Sequence, residues 1–182
     1  EKVNSKIALM QWLDLVSAIQ NLGGAVKTIK PIDGLPDMVF TANAGIVFDN
    51  KFIVSSMKNN ERKNESKYFR EWFRNNKYQI VDIIPGLSFE GRGDALVDRG
   101  TLIGGYGYRT DLMALEIVAG SLGLSLTALK LSDPRFYHLD TCFCKISDKK
   151  AIYYPQAFEK GEIEKLSDMF DLIPVTENDA RM

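Results

Sequence analysis

The sequence predicts an α/β fold, a pseudo-symmetric α/β propeller of repeated ββαβ units with short strands around a centre and helices outside. Three observations carry that expectation. Two apolar strands joined by a polar turn, then a helix, then a strand, recur three times along the chain. The helical segments place apolar residues at core spacing, while polar residues gather at the joints between units. The composition, 182 residues with 45% hydrophobic and 26% charged, suits one well-buried core rather than two. The alternative is a mixed α/β sandwich whose rhythm is coincidental.

The chain opens on the second half of a unit. Residues 8–22 (ALMQWLDLVSAIQNL) form an amphipathic pattern through Leu9, Trp12, Leu13 and Val16, which Gly23-Gly24 ends, and AVKTIKPI supplies a strand. The first full unit runs AGIVFDNKFIVSS (44–56), a helix around SKYFREWFRNN (66–76), and YQIVDII (78–84). The second runs DALVDRGTLIGGYG (94–107), TDLMALEIVAGSLG (110–123) and LSLTALKL (124–131). The third runs TCFCKISDKKAIYYP (141–155), EKGEIEKLSDMF (159–170) and DLIPVT (171–176). Asp49-Asn50, Asp98-Arg99-Gly100 and Ser147-Asp148-Lys149 are the hairpin turns. Core positions of the helices are Phe69, Trp72 and Phe73; Leu115, Val118 and Leu122; Ile163, Leu166 and Phe170. Thr110 is the expected N-cap of the middle helix and Gly123 its stop. The reading is one domain over 1–182, with units at 1–34 (partial), 44–85, 94–131 and 141–176.

Charge and cysteine usage narrow the function classes. Lys+Arg of 23 against Asp+Glu of 24 argues against nucleic acid or an anionic membrane as partner. No apolar run reaches the roughly 18 residues of a membrane span, and the start lacks the pattern of a signal peptide. Cys142 and Cys144 are too close along a strand for a comfortable bridge, so a reducing cytoplasm is the expected location.

Three joints concentrate the polar residues: LPDMVFTANAG (35–45), LSFEGRGDAL (87–96) and FYHLDTCFC (136–144). In this order, at module spacing, they resemble the guanidine-modifying (pentein) superfamily of arginine dihydrolases, deiminases and amidinotransferases, over almost the whole chain. The PDMVFTANAG form resembles the arginine dihydrolase branch most. The resemblance implies a ring of five units, of which about three and a half are read here. It also implies hydrolysis of the guanidinium of arginine through a covalent thiouronium intermediate, without cofactor or metal. The implied partner is an arginine-like small molecule, and homo-oligomerisation is left open.

On that resemblance His138, the single histidine, is the general acid/base, and Glu90 assists proton transfer. Asp140, two residues on along an expected strand, grips the guanidinium together with Glu90. Asp94 either joins this network or, as the preferred reading, orders the glycine turn of GRGDAL. Arg62 follows Asn43 by nineteen residues, as Arg109 follows Glu90, which suggests two arginines at equivalent rim positions holding the substrate carboxylate. The alternative for Arg62 is a solvated surface arginine in KNNERKNESK. Phe40 is either a cation–π partner or a core residue. Asp37 either contacts the substrate's α-amino group or fixes the turn after Pro36. Asn43 is the discriminating position. The deiminases and dimethylarginine hydrolases have Asp there, whereas the dihydrolases have Asn, whose amide can hold a cationic guanidinium and then a neutral ureido group.

Neither cysteine reads as the nucleophile. On a regular strand Cys142 would sit about 13 Å from His138, and both cysteines read as small strand residues. A metal site from His138, Asp140 and Cys142 lacks completing ligands. The resemblance puts the nucleophilic cysteine in a Gly-rich stretch near the C-terminus that has no match here. The expectation is therefore a chain short of its last unit and first hairpin, inactive by itself. Rival readings are a deiminase, a dimethylarginine hydrolase, an amidinotransferase, or a non-catalytic propeller scaffold.

Overall fold

The computed structural model of the chain describes residues 3–181; residues 1, 2 and 182 of the expected 1–182 domain lie outside them. The chain divides into two compact units, Glu1–Lys30 and Pro31–Met182. In the first, α1 spans Ser5–Asn21. Its N-cap Asn4 accepts hydrogen bonds from the N–H groups of Lys6 and Ile7, both at 3.2 Å. The helix thus starts three residues before the expected 8–22, because a cap residue and not the apolar stripe decides where it begins. Gly23, at φ +84, follows its end as expected. Residues 25–32, expected as a strand, form none. Alternation becomes a strand only when a neighbour supplies the ladder.

The second unit holds three separate three-stranded sheets. The first comprises β1 (Gly45–Phe48), β2 (Lys51–Val54), α2 (Glu65–Asn75) and β3 (Gln79–Val81). The second comprises β4 (Ala95–Asp98), β5 (Thr101–Tyr106), α3 (Leu112–Leu122) and β6 (Ser125–Lys130). The third comprises β7 (Phe143–Lys145), β8 (Lys150–Tyr153) and β9 (Asp171–Pro174), after which the four-residue α4 (Glu177–Ala180) closes the described chain. In each sheet the first two strands pair antiparallel and the third lies parallel to the second. Asp49, Arg99 and Gly100 take the positive φ that tight hairpins of this twist require. The repeated α/β architecture is the one that the strand and helix periods predict.

Two further local expectations fail. Residues 159–170 do not form an α-helix: Gly161 sits at φ +85, and the only regular helical stretch is a 3-10 turn at Ile163–Leu166. The N–H groups of Lys165, Ser167 and Met169 bond three residues back, to Glu162, Glu164 and Leu166. Ile163, Leu166 and Phe170 are nonetheless buried, so their spacing marks a core face that a tighter coil also serves. Thr110 is not the N-cap of α3. Asp111 is, because the Thr110 hydroxyl is committed to the site described below.

Two apolar clusters flank the polar joints. One joins Ile46, Ile53, Phe89, Leu102, Leu115 and Val118, spanning the first two sheets. The other joins Ile103, Leu129, Leu139, Phe143, Leu166 and Phe170, spanning the second and third. Because neighbouring sheets share cores, the segments that lead into their first strands are drawn together. Among the described residues no helix is long and apolar enough to cross a membrane.

Candidate active site

Each sheet is entered through a 3-10 turn: Thr41–Ala44 before β1, Gly91–Gly93 before β4, and Leu139–Thr141 before β7. The middle turn packs against both of the others, which brings residues from three distant joints together. Two glycines permit the approach. Gly91 has φ +62, and a Cβ there would stand 2.7 Å from the Ala42 carbonyl oxygen. A Cβ on Gly93 would lie 2.5 Å from Asn43 Nδ2 and 3.1 Å from His138 Nδ1. The GRG stretch is therefore glycine-rich where backbone must lie against functional side chains.

His138 is the centre of the cluster and is buried. Its Nδ1 lies 3.0 Å from Asp94 Oδ2 and its Nε2 3.2 Å from Glu90 Oε2. Burial alone would push the imidazole down, but the two carboxylates outweigh it and raise His138 to about 9. Burial would likewise raise the Glu90 carboxyl; His138, the Lys58 backbone N–H at 3.1 Å and Arg109 hold it below the usual carboxylate range. His138, expected to start a strand, instead precedes the 3-10 turn in extended conformation, with φ −124 and ψ 151.

Asp94 differs from its preferred reading. Instead of ordering the glycine turn, its side chain accepts from the Leu139 N–H at 3.0 Å and from the Thr110 hydroxyl at 2.7 Å, besides meeting His138. Thr110 also accepts from the Glu90 N–H at 3.0 Å. One buried hydroxyl thus ties together the two residues that flank the imidazole.

The equal nineteen-residue offsets have a geometric counterpart, because each arginine bonds the side chain nineteen positions earlier. Arg109 Nη1 meets Glu90 Oε2 at 3.2 Å, and Arg62 Nη1 donates to Asn43 Oδ1 at 3.1 Å. Their surroundings differ, so the two are not equivalent rim arginines. Arg109 is half-buried, with its guanidinium 4.5 Å from the Tyr137 ring centre. Arg62 is neither a solvated arginine nor an open rim residue but is buried. It binds Glu65 in a two-point bond (Nε–Oε1 3.0 Å, Nη2–Oε2 2.9 Å) and also donates from Nη2 to the Asp37 carbonyl at 3.1 Å. Burial opposes the Arg62 charge, and Glu65 more than offsets this, raising it above the ordinary arginine value.

Phe40 is exposed rather than part of the core, and the guanidinium over its ring, at 5.9 Å, belongs to Arg62. The Asp37 carbonyl closes the turn after Pro36 by accepting the Phe40 N–H at 3.0 Å, while its carboxylate is half exposed, 3.9 Å from Arg62 Nε. Asp140 lies in the 3-10 turn, not on a strand face with His138. It keeps an exposed surface, yet enough protein surrounds its carboxyl to push it up, with His138 acting in the opposite sense. It borders a pocket of about 220 Å³ that Cys144, Tyr153 and Asp179 also line.

Both cysteines are free. The turn brings Cys142 Sγ to 3.6 Å from the His138 carbonyl oxygen, so the strand-based separation does not apply. The thiol nevertheless faces backbone carbonyls of His138 and Leu139 rather than the imidazole, and burial pushes it far above the ordinary cysteine value. Among the described residues no cluster of His, Cys, Asp and Glu is arranged to hold a metal ion.

Sequence reasoning did not single out Glu65, Tyr137 or the site role of Thr110. Glu65 stands three residues after Arg62, a spacing that pairs charges on a helical turn. Tyr137 adjoins His138 in FYHLD and meets its ring edge-on at 5.0 Å. Thr110 carried no local signal, because its partners come from other segments.

The family described as N,N dimethylarginine dimethylhydrolase, eukaryotic, matches residues 1–182. The chain belongs to that family. Within this dimethylarginine hydrolase group it is 40% identical over 179 residues to the N(G),N(G)-dimethylarginine dimethylaminohydrolase of Mycobacterium tuberculosis, covering 98% of this chain and 59% of that protein. It is 42% identical over 160 residues to the bifunctional arginine dihydrolase/ornithine cyclodeaminase ArgZ of a Synechocystis species, covering 87% of this chain and 23% of that protein. A crystal structure of the cyanobacterial ArgZ N-terminal domain, a cysteine-to-serine mutant bound to substrate, superposes with a TM-score of 0.91 at 39% identity. That superposition covers 97% of this chain and 67% of the other. The chain thus spans well under two thirds of both curated relatives. The guanidine-modifying superfamily inferred from the three joints is the one these relatives represent.

Proposed function

We propose that the chain carries the guanidinium-binding and proton-transfer part of an arginine dihydrolase-type site. The observation that supports this reading best is His138 clamped between Asp94 and Glu90 at the meeting point of three turns. A histidine with a midpoint of about 9 is an imidazolium at neutral pH. Asp94 keeps Nδ1, so Nε2 is the atom that gives its proton to departing ammonia and later takes one from the attacking water. Glu90 and Asp140 supply acceptor oxygens for the donors of a guanidinium. Arg109 spends one N–H on Glu90 and keeps the rest of its fork for a substrate carboxylate.

The covalent step needs a thiolate attacking the amidinium carbon; the buried Cys142 thiol faces backbone carbonyls, and Cys144 lies exposed on β7, outside the three turns. In the proposed reaction arginine and two waters yield ornithine, two ammonia molecules and carbon dioxide. The ArgZ relative supports arginine as substrate, and the sequence resemblance gives the dihydrolases an Asn at the position of Asn43. Dimethylarginine hydrolysis is the second reading, favoured by the mycobacterial relative, which covers nearly all of the chain. Product analysis of the polypeptide encoded by the complete reading frame separates them. Ornithine from L-arginine is the expected result, citrulline accumulating would reject dihydrolase chemistry, and turnover of N,N-dimethylarginine alone would favour the second reading. The polypeptide of residues 1–182 is expected to release no ammonia from arginine.

A further inference from the structure

Thr110 has no role in the reaction just proposed, yet it is buried beside both carboxylates that flank the imidazole. Its backbone is fixed from two sides. The Thr110 carbonyl accepts the Gly107 N–H at 3.1 Å. The next residue is latched to the segment that leads into Glu90: Asp111 donates its N–H to the Ser88 carbonyl at 2.9 Å and accepts the Ser88 N–H on Oδ2 at 2.7 Å. A β-branched side chain on a fixed backbone has few rotamers, so the hydroxyl oxygen has one place to be. Its hydrogen is directed as well. The Glu90 N–H, 3.0 Å away, only donates, so the Thr110 oxygen accepts there. The single hydroxyl hydrogen then goes to Asp94 Oδ2, at 2.7 Å.

Asp94 is thereby held at both of its oxygens. The Leu139 N–H donates to Oδ1 at 3.0 Å and the Thr110 hydroxyl to Oδ2, while that same Oδ2 stands 3.0 Å from His138 Nδ1. With Leu139 alone the carboxylate would pivot on one anchored oxygen and carry Oδ2 away from the ring. A second donor, arriving from another segment, stops that pivot. We infer that Thr110 is a positioning residue for His138: by pinning Asp94 Oδ2 against Nδ1 it keeps one ring proton there and leaves Nε2 as the nitrogen that exchanges. The other groups around the ring do not make this selection. Glu90 Oε2, 3.2 Å from Nε2, is shared with Arg109 Nη1 at 3.2 Å. Asp140 acts on the ring only through charge, Tyr137 meets it edge-on, and the Cys142 thiol turns to the His138 carbonyl. That Nε2 serves departing ammonia rests on the proposed hydrolysis; the hold on Asp94 rests on geometry alone.

NMR of the ¹⁵N-labelled chain without ligand tests the inference, so a failure of the hydrolase reading cannot be mistaken for a failure here. His138 is the single histidine, so its ring nitrogens are read without ambiguity. In the unmutated chain the neutral ring, formed above the midpoint, should carry its proton on Nδ1. A proton on Nε2 instead would overturn the inference, and this measurement needs no variant. Thr110→Val removes the hydroxyl and keeps the branched shape. In the folded valine variant the His138 midpoint should fall by about half to one unit, a loss of proton affinity of about three- to tenfold, the worth of one hydrogen bond. Thr110→Ser keeps the hydroxyl and should leave the midpoint in place. A threonine that served the fold alone would lower stability on change to valine without moving the midpoint. A midpoint left in place or raised by Thr110→Val, or one shifted as far by Thr110→Ser, would also overturn the inference.

Discussion

Replacing Asp94 with asparagine removes a charge 3.0 Å from His138 Nδ1 and changes little else in size or shape. The structure raises His138 to about 9, against an ordinary value of 6.5. At about 1.4 kcal/mol per pKa unit, that gap corresponds to roughly 3 kcal/mol favouring the imidazolium, shared between Asp94 and Glu90. Losing one of the two partners should therefore lower the midpoint by at least about one unit, while Glu90 Oε2, 3.2 Å from Nε2, keeps part of the rise. His138 is the only histidine, so its ring C–H signals in a proton NMR titration need no assignment. The same gap sets a pH dependence of stability. Because the folded value lies above the unfolded one, the stabilisation is complete below pH about 6.5 and disappears as pH rises through about 9. Glu90, held low, acts in the opposite sense and loses its contribution as pH falls through its folded value. Urea unfolding should thus show greatest stability in mildly acidic solution and a fall of up to about 3 kcal/mol by pH 10. A His138 midpoint near 6.5 in the unmutated chain, or one that Asp94→Asn leaves in place, would refute this account of the site.

Further outcomes follow from the same geometry. Gly93→Ala should cost about 1–3 kcal/mol in urea unfolding and displace the His138 signal, since its Cβ would stand 2.5 Å from Asn43 Nδ2 and 3.1 Å from the imidazole. Iodoacetamide at pH 8 should label the exposed Cys144 and spare the buried Cys142, read by mass spectrometry of the cysteine-containing peptide; labelling of both in the folded chain would contradict the thiol environment described. Asp98→Ala should destabilise the fold by about 1–3 kcal/mol, because Lys145 at 2.5 Å and Arg99 at 2.7 Å lose a buried partner that ties the second sheet to the third.

Strand pairs, the two longer helices of the sheet repeat and their core residues follow from local rules, and these were legible. A hairpin such as Asp98-Arg99-Gly100 declares itself through its turn residues, and Leu115, Val118 and Leu122 through their period. Local rules stop at the third helix, where Ile163, Leu166 and Phe170 have the right spacing but a 3-10 turn satisfies the same burial. The residues that the packing gathers were legible as a set, because Asn43, Glu90 and His138 stand in three polar joints of a recognisable order. What each does was not. Whether Asp94 orders a glycine turn or holds an imidazole depends on Leu139, Thr110 and His138, the nearest of them sixteen residues away in the chain. Whether Arg62 reaches solvent or is buried depends on Glu65 and Asn43 meeting it in the interior. Periodicity determines which face of an element is apolar, since that is a property of neighbours along the chain. Hydrogen-bond partners of a buried polar group are chosen across the chain, and only the packing of the three turns decided them.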